Sequence, residues 1–361
     1  MKGQIGKGGF SHIYKCIDSS NIERAVKCLP IHPKTGVSCL FECICMTNLS
    51  FLYLNSCLNI GFTINKIYLI QELAICDLFD WRKKNSDLST IPIWISQVLS
   101  AIFYLHSHGI IHGDIKASNV LLYSSNNIKL TDFSLSLKEE WMVDNFSRQI
   151  CTSSHRPLEV WLGKKWNRSV DIWSFGCFIY ELLHGSQLFP SEMTFEERIE
   201  NFKNWEKFLN GNGEFKNFSE KTLVNDLLIN ILQIDVEKRF TLEQIKNHKY
   251  LSDYVIFPVI DPIVSDNKIT IQKIPGHIPE NVKINISKLY DKIVNLKDIS
   301  NSNKLKTCIH IYKKMIRGES PLNPNHIQNS NINTFRSLDE ELNLVKYERL
   351  ILKYVLFDLV F

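Results

Sequence analysis

Long apolar runs are missing from this chain. Nowhere do about 18 apolar residues follow one another, so no membrane-spanning helix is expected. No hydrophobic stretch follows a basic start either, which argues against a secretory leader. The ten cysteines lack the paired CxxC spacing of a zinc site, with Cys43 and Cys45 the closest together. Scattered thiols of this kind suit a reducing intracellular compartment, cytoplasmic or nuclear. Charge of one sign is scarce as well. The 42 basic and 38 acidic residues leave a formal charge of +4, and the lysines are spread along the chain, so neither a nucleic-acid partner nor a membrane partner is expected. What is present is 44% hydrophobic and 22% charged over 361 residues, enough to bury two or three packing units.

From Ile5 to about Ile70 the chain alternates short β-like runs with one helical interruption. His12 to Cys16, Arg24 to Leu29 and Lys66 to Ile70 are rich in Val, Ile and Tyr, as strands are. Between them Val37, Leu40, Phe41 and Ile44 recur at helical spacing. From about Asp77 to Leu251 helical periodicity dominates. Ile95, Val98, Leu99, Ile102 and Leu105 form one apolar stripe, and Val170 to His184 and Lys221 to Ile234 read as further buried helices. Pro258, Pro262, Pro275 and Pro279 then mark a linker, after which helical stripes return around Ile286 to Ile293 and Leu305 to Tyr312. Ser337 and Glu340 have capping-box spacing and open a last expected helix. The fold class expected is α+β: a small β-rich unit with one helix, a mainly α unit, and a C-terminal helical segment.

Several motifs point to phosphate chemistry. Gly6, Gly8 and Gly9, in IGKGGFSHIYK, fall between two strand-like pieces, where absent side chains let backbone N–H groups approach phosphate oxygens. Alone, this is equally a glycine-rich turn, and Ser11 stands where a third glycine is expected. Lys27 sits inside the apolar strand Ala25-Val26-Lys27; it is either a solvent-facing edge lysine or a phosphate-binding cation held by Glu42 on the neighbouring helix. The string IIHGDIKASNVLL is more specific, because it sets Asp114, Lys116 and Asn119 in one loop leading into Val120-Leu121-Leu122. Phosphoryl transfer needs a carboxylate to orient a hydroxyl, a cation near the moving group and oxygen ligands for a metal. Asp132, at the end of the strand-like Lys129-Leu130-Thr131, supplies a further hard oxygen for Mg2+.

With these residues in place, Met1 to about Leu251 resembles a eukaryotic serine/threonine protein kinase domain, nearest to the cyclin-dependent kinase group. The resemblance implies a bilobal fold with an N-lobe at 1–73 and a C-lobe at 74–253, ATP and Mg2+ as cofactors, and protein substrates bearing Ser or Thr. It makes Lys27 and Glu42 the strand lysine and helix glutamate, Asp114 the catalytic aspartate, and Asn119 and Asp132 the metal ligands. Thr152 would contact Asp114 and Lys116, Glu159 would pair with Arg239, and Asp171 would support the catalytic loop. In the adenine pocket it implies Ile5, Ile13, Ala25 and Leu121 around the base, Gln71 as gatekeeper, Glu72 to Ala74 as adenine-contacting backbone, and Asp77 facing the ribose. His155-Arg156-Pro157 resembles the tyrosine-arginine step of that group, and through Arg156 a proline-directed choice of substrate is implied.

Three positions depart from the family pattern. Gly113 replaces the arginine that grips a phosphorylated activation loop, so phosphorylation at Ser147 is not expected to be the main switch. Ser134 replaces the glycine after Asp132-Phe133, and Ser11 the third loop glycine. These departures keep open a second reading, a pseudokinase that acts as a nucleotide-binding or partner-binding scaffold. The tail from residue 254 resembles part of a cyclin box, with Lys314 and Glu348 as the residues implied to contact a kinase. A cyclin-type partner is thereby implied, supplied in cis or from outside, and an unrelated docking module is the alternative.

Overall fold

The computed structural model describes residues 3–8, 11–30, 36–63, 66–139, 150–218, 221–252 and 254. Gly9, Ser147 and the tail expected to resemble a cyclin box, with Lys314 and Glu348, lie outside the described residues. Those described form two compact units. One takes the residues up to Cys43 together with Cys57–Gln71, and the other takes Ile44–Ser56 and Glu72 onward.

The first unit is built on a five-stranded sheet in the order β1-β2-β3-β5-β4. Its strands are β1 Gly3–Lys7, β2 His12–Ile17, β3 Glu23–Pro30, β4 Asn59–Thr63 and β5 Lys66–Glu72. The expected strand pieces are all present, each extended by a residue or two. In β5 the alternation is clear, with Ile67, Leu69 and Gln71 buried and Lys66 and Glu72 exposed. Strand β3 lies inside the sheet between β2 and β5, and Val26, Lys27, Cys28 and Leu29 are all buried. Helix α1, Gly36–Asn48, follows β3 and buries Cys39, Phe41 and Glu42.

The second unit is mainly helical. Helices α2 (Leu78–Lys84) and α3 (Ile91–Ser107) lie between the first and second strands of a three-stranded sheet, β6-β8-β9, of Cys76–Asp77, Val120–Ser124 and Asn127–Leu130. The short strands β7 (Ile110–Ile111) and β10 (Leu137–Lys138) pair with each other. The stripe read from α3 is the face that packs, since Ile95, Val98, Leu99, Ile102 and Leu105 are all fully buried. After α4 (Leu158–Trp161) comes α5 (Ser169–His184), buried almost all round and stopped by Gly185, whose φ of 65° suits the left-handed cap. Arg82 reinforces that end by donating to the carbonyls of Leu182 (2.6 Å) and Leu183 (3.2 Å).

Helices α6 (Phe195–Leu209), α7 (Leu223–Ile231) and α8 (Leu242–Lys246) complete the unit, each opened by a threonine cap. Helix α7 is shorter than the expected span of Lys221 to Ile234. Thr222 accepts from the Asn225 amide and fixes its start, and Leu232 already leaves helical geometry. Its contact with α5 depends on Gly176, where an added Cβ would come within 2.6 Å of Ile231. Among the described residues no helix is long and apolar enough to cross a membrane.

Candidate active site

In the first unit the glycine-rich segment is tighter than a plain loop. Gly6 belongs to β1 rather than to the loop: it pairs with Ile13 of β2, and the register slips between Gln4 and Gly6. Gly8 donates to the Ser11 carbonyl at 2.8 Å, and a Cβ at Gly8 would sit 2.7 Å from the Ser11 hydroxyl, so a side chain there would have to displace that hydroxyl. Ile5 is exposed on β1, while Ile13 lies opposite Lys27 across the β2–β3 pair and Ala25 is buried. Lys27 is no edge lysine. Its ammonium is bonded to Glu42 of α1, and both side chains are almost completely shielded, which marks a charge pair whose partners depend on each other. Gln71, expected as the gatekeeper, is buried near the end of β5.

The second unit gathers the residues of the loop from His112 to Asn119. Asp171, in the first turn of α5, receives the backbone N–H groups of His112 and Gly113 at 2.8 Å each and a ring nitrogen of His106 at 2.8 Å. A buried carboxylate at a helix N-terminus, so bonded, holds the loop from behind. Asp114 faces a dense set of donors. One carboxylate oxygen accepts from the Thr152 amide (3.0 Å) and hydroxyl (2.6 Å), and the other from Lys116 Nζ (2.8 Å) and Asn119 Nδ2 (2.9 Å). Lys116 Nζ also reaches the Thr152 hydroxyl at 2.6 Å. Burial alone would raise the Asp114 carboxyl, but Lys116 and Thr152 hold it below the usual carboxylate value, so it is ionised at neutral pH.

Asn119 gives its amide N–H groups to Asp114, which leaves its side-chain oxygen outside those bonds. Its carbonyl accepts from Thr131 at 2.9 Å, so Asp132 follows directly on a residue tied to it. Asp132 itself takes a left-handed backbone (φ 68°), a conformation that costs an L residue energy and recurs at functional sites. Ser134, two residues on, donates its amide to the Asp132 carboxylate at 3.3 Å and has no positive φ. Among the described residues no cluster of three or more His, Cys, Asp or Glu could hold a metal. One carboxylate and one amide oxygen instead fit a hard cation that brings further oxygen ligands on a phosphate.

The remaining pocket residues of this unit divide. Glu72 is exposed and paired with Lys129 at 2.9 Å, and Ala74 is half-buried. Asp77 caps α2, its carboxylate accepting the Asp80 amide at 2.8 Å, and lies opposite Leu121 in the β6–β8 pair. Glu159 and Arg239 form a doubly bonded buried pair at 2.8 and 3.2 Å.

Three features around the segment after residue 149 were not visible in the sequence. Cys151 has φ 66°; its N–H donates to the Gly113 carbonyl at 2.8 Å, and its carbonyl accepts from Arg156 at 2.8 and 3.2 Å. Gly113 has φ 76°, and a Cβ there would lie 2.6 Å from Ile150 and 2.9 Å from the Leu135 carbonyl. Its glycine therefore meets a backbone and packing demand as well as removing an arginine. Glu181 of α5 accepts from the Ala117 amide at 3.3 Å and lies 3.5 Å from the His155 ring. A lone glutamate in an apolar helix run was the available signal for this last link.

Residues 1–251 match the family described as protein kinase domain. Among curated proteins the chain is similar to cyclin-dependent kinase 2 of Caenorhabditis elegans, 26% identical over 280 residues, covering 68% of this chain and 76% of that protein. It is similar to cyclin-dependent kinase 1 of Encephalitozoon cuniculi, 27% identical over 279 residues, covering 68% of this chain and 94% of the relative. A shorter match, 40% identical over 133 residues and 36% of either protein, is to probable cyclin-dependent kinase 10 of Dictyostelium discoideum. With the family's span covering this catalytic loop and the sheet before it, the chain belongs to the protein kinase domain family.

Proposed function

We propose that this chain is an active serine/threonine protein kinase that transfers the γ-phosphoryl group of Mg-ATP to a protein hydroxyl. The observation that carries the reading is the cluster of Asp114, Lys116 and Thr152, bonded at 2.6 to 3.0 Å around one buried carboxylate. Bound Mg-ATP supplies the phosphoryl group and offsets its charge. Asn119 and Asp132 would hold the cation, and Lys27, kept in place by Glu42, would meet phosphate oxygens. Asp114 accepts a hydrogen bond from the substrate hydroxyl and orients it; with four donors already on its oxygens it is a weak base, so positioning is its main contribution. Lys116 puts a cation beside that carboxylate, where negative charge moves during transfer.

The same segment favours a proline after the phosphorylated residue. Cys151 has both backbone polar groups engaged, the N–H by Gly113 and the carbonyl by Arg156. A substrate residue bringing an N–H to that carbonyl finds it occupied, and leaving such a donor unpaired costs about 1–3 kcal/mol. Proline has no N–H to leave unpaired. A cyclin-type partner belongs to this reading on the strength of the relatives' names, and its supply in cis by the tail rests on the sequence resemblance alone.

The test is transfer of label from radiolabelled ATP to a generic basic protein, with and without Mg2+. Metal-dependent labelling is expected. Nucleotide binding without transfer would favour the scaffold that Gly113, Ser134 and Ser11 raise.

A further inference from the structure

The geometry points to Trp161 as a positioning residue for substrate selection, acting through Arg156; this rests on the proline-directed reading above. Trp161 closes α4, and the guanidinium of Arg156 lies over its ring at 4.5 Å from the centroid. The guanidinium of Arg198, from α6, lies over the same residue at 4.6 Å. Arg198 is fully buried and donates to the carbonyls of Ser153 (3.3 Å), Pro190 (2.9 Å) and Ser191 (3.2 Å), while its Nε has no partner. Among the described residues neither arginine forms an ion pair. Arg198 is buried and Arg156 half-buried; with no carboxylate in ion-pair reach they repel each other and lose hydration, and burial lowers both, Arg198 further through the charge of Arg156, which the more distant Glu192 (on Arg198) and Asp114 (on Arg156) only partly offset.

The electron-rich face of an indole is what this arrangement offers in compensation. The Trp161 Nε1 is itself buried and makes no hydrogen bond, so the ring is held for its faces and not for its N–H. Arg156, laid on that face, is thereby aimed at the Cys151 carbonyl, and Arg198 braces the ring from α6 while holding Ser153. Without the ring, Arg156 is free to leave the carbonyl, and the carbonyl becomes an acceptor for a substrate N–H. Discrimination between proline and other residues then falls while the Asp114 cluster stays intact.

The experiment uses the full chain and two peptides that differ only in proline or alanine after the acceptor serine. The ratio of their kcat/KM values is independent of how much of a variant is folded. Trp161→Leu is expected to lower the proline-to-alanine ratio by about tenfold, with Trp161→Phe keeping most of it. If Trp161→Leu yields no active protein, Trp161→Met removes the π face with a longer side chain that fills an irregular gap more readily and is read by the same ratio. An unchanged ratio in the leucine or methionine variant overturns the role of Trp161. A wild type that shows no proline preference overturns the reading beneath it instead.

Discussion

Replacing Gly113 by alanine probes the one position where the catalytic loop departs most from its family. The residue has φ 76°, and the added Cβ would sit 2.6 and 2.7 Å from two carbons of Ile150 and 2.9 Å from the Leu135 carbonyl oxygen. Holding an L residue in the left-handed region costs about 1–2 kcal/mol. Forcing a methyl into a filled core site costs about 1–3 kcal/mol more. The sum, about 2–5 kcal/mol, is large against the stability of an ordinary domain. Ile150 is fully buried and its carbonyl accepts from Arg156 at 2.9 Å, while Cys151 donates to the Gly113 carbonyl. Displacing Ile150 therefore disturbs the strand of contacts that brings Thr152 to Asp114, and turnover should fall with stability. Urea unfolding and initial-rate kinetics on Gly113→Ala, Ile150→Ala and the double variant make the check. The truncated Ile150 leaves room for the new methyl, so the double variant should lose less than the two singles added together. A Gly113→Ala protein as stable and active as wild type would refute the reasoning, and strict additivity would refute its packing half.

Two further outcomes follow from buried charge. The His112 ring accepts the Asp114 amide on Nδ1 (3.2 Å) and faces the Thr131 carbonyl through Nε2 (3.1 Å), and burial keeps its pKa below the ordinary 6.5. The unfolded chain therefore binds the extra proton first: this contribution is intact above pH 6.5 and is lost as pH falls below it, at up to about 1.4 kcal/mol per pH unit. Urea midpoints at neutral and mildly acidic pH should drop more for wild type than for His112→Asn, and equal drops would contradict the assignment. For the shielded Lys27–Glu42 pair, Glu42→Leu alone should destabilise by about 3–5 kcal/mol, whereas Lys27→Met with Glu42→Leu should cost much less than the two singles summed. Additive losses in thermal unfolding would mean that the two charges do not depend on each other.

The elements were legible where periodicity is strong. The α3 stripe and the β-rich start follow directly from spacing, because one face of each must be buried. Asp114, Lys116 and Asn119 could be picked out together because their types and spacing lie within one short loop. Backbone conformation was not. Nothing in the residue type of Cys151 announces a positive φ, and Gly113 reads as a lost arginine until Ile150 is seen filling the space beside it. Gly6 looked like loop because glycine is ambiguous between a turn and a bulged strand. Contacts across long separations, such as Arg198 with Ser153 or Ala117 with Glu181, join segments that no local pattern connects.

The most direct measurement compares wild type with Asp114→Asn for transfer of labelled phosphate from Mg-ATP to a basic protein, followed by identification of the labelled amino acid. The substitution keeps the size of the side chain and removes the carboxylate that Thr152, Lys116 and Asn119 surround. The account predicts label on serine or threonine with wild type and a fall of about 10²-fold or more in the variant, as expected for a lost positioning contact. Equal labelling by the two proteins would contradict it.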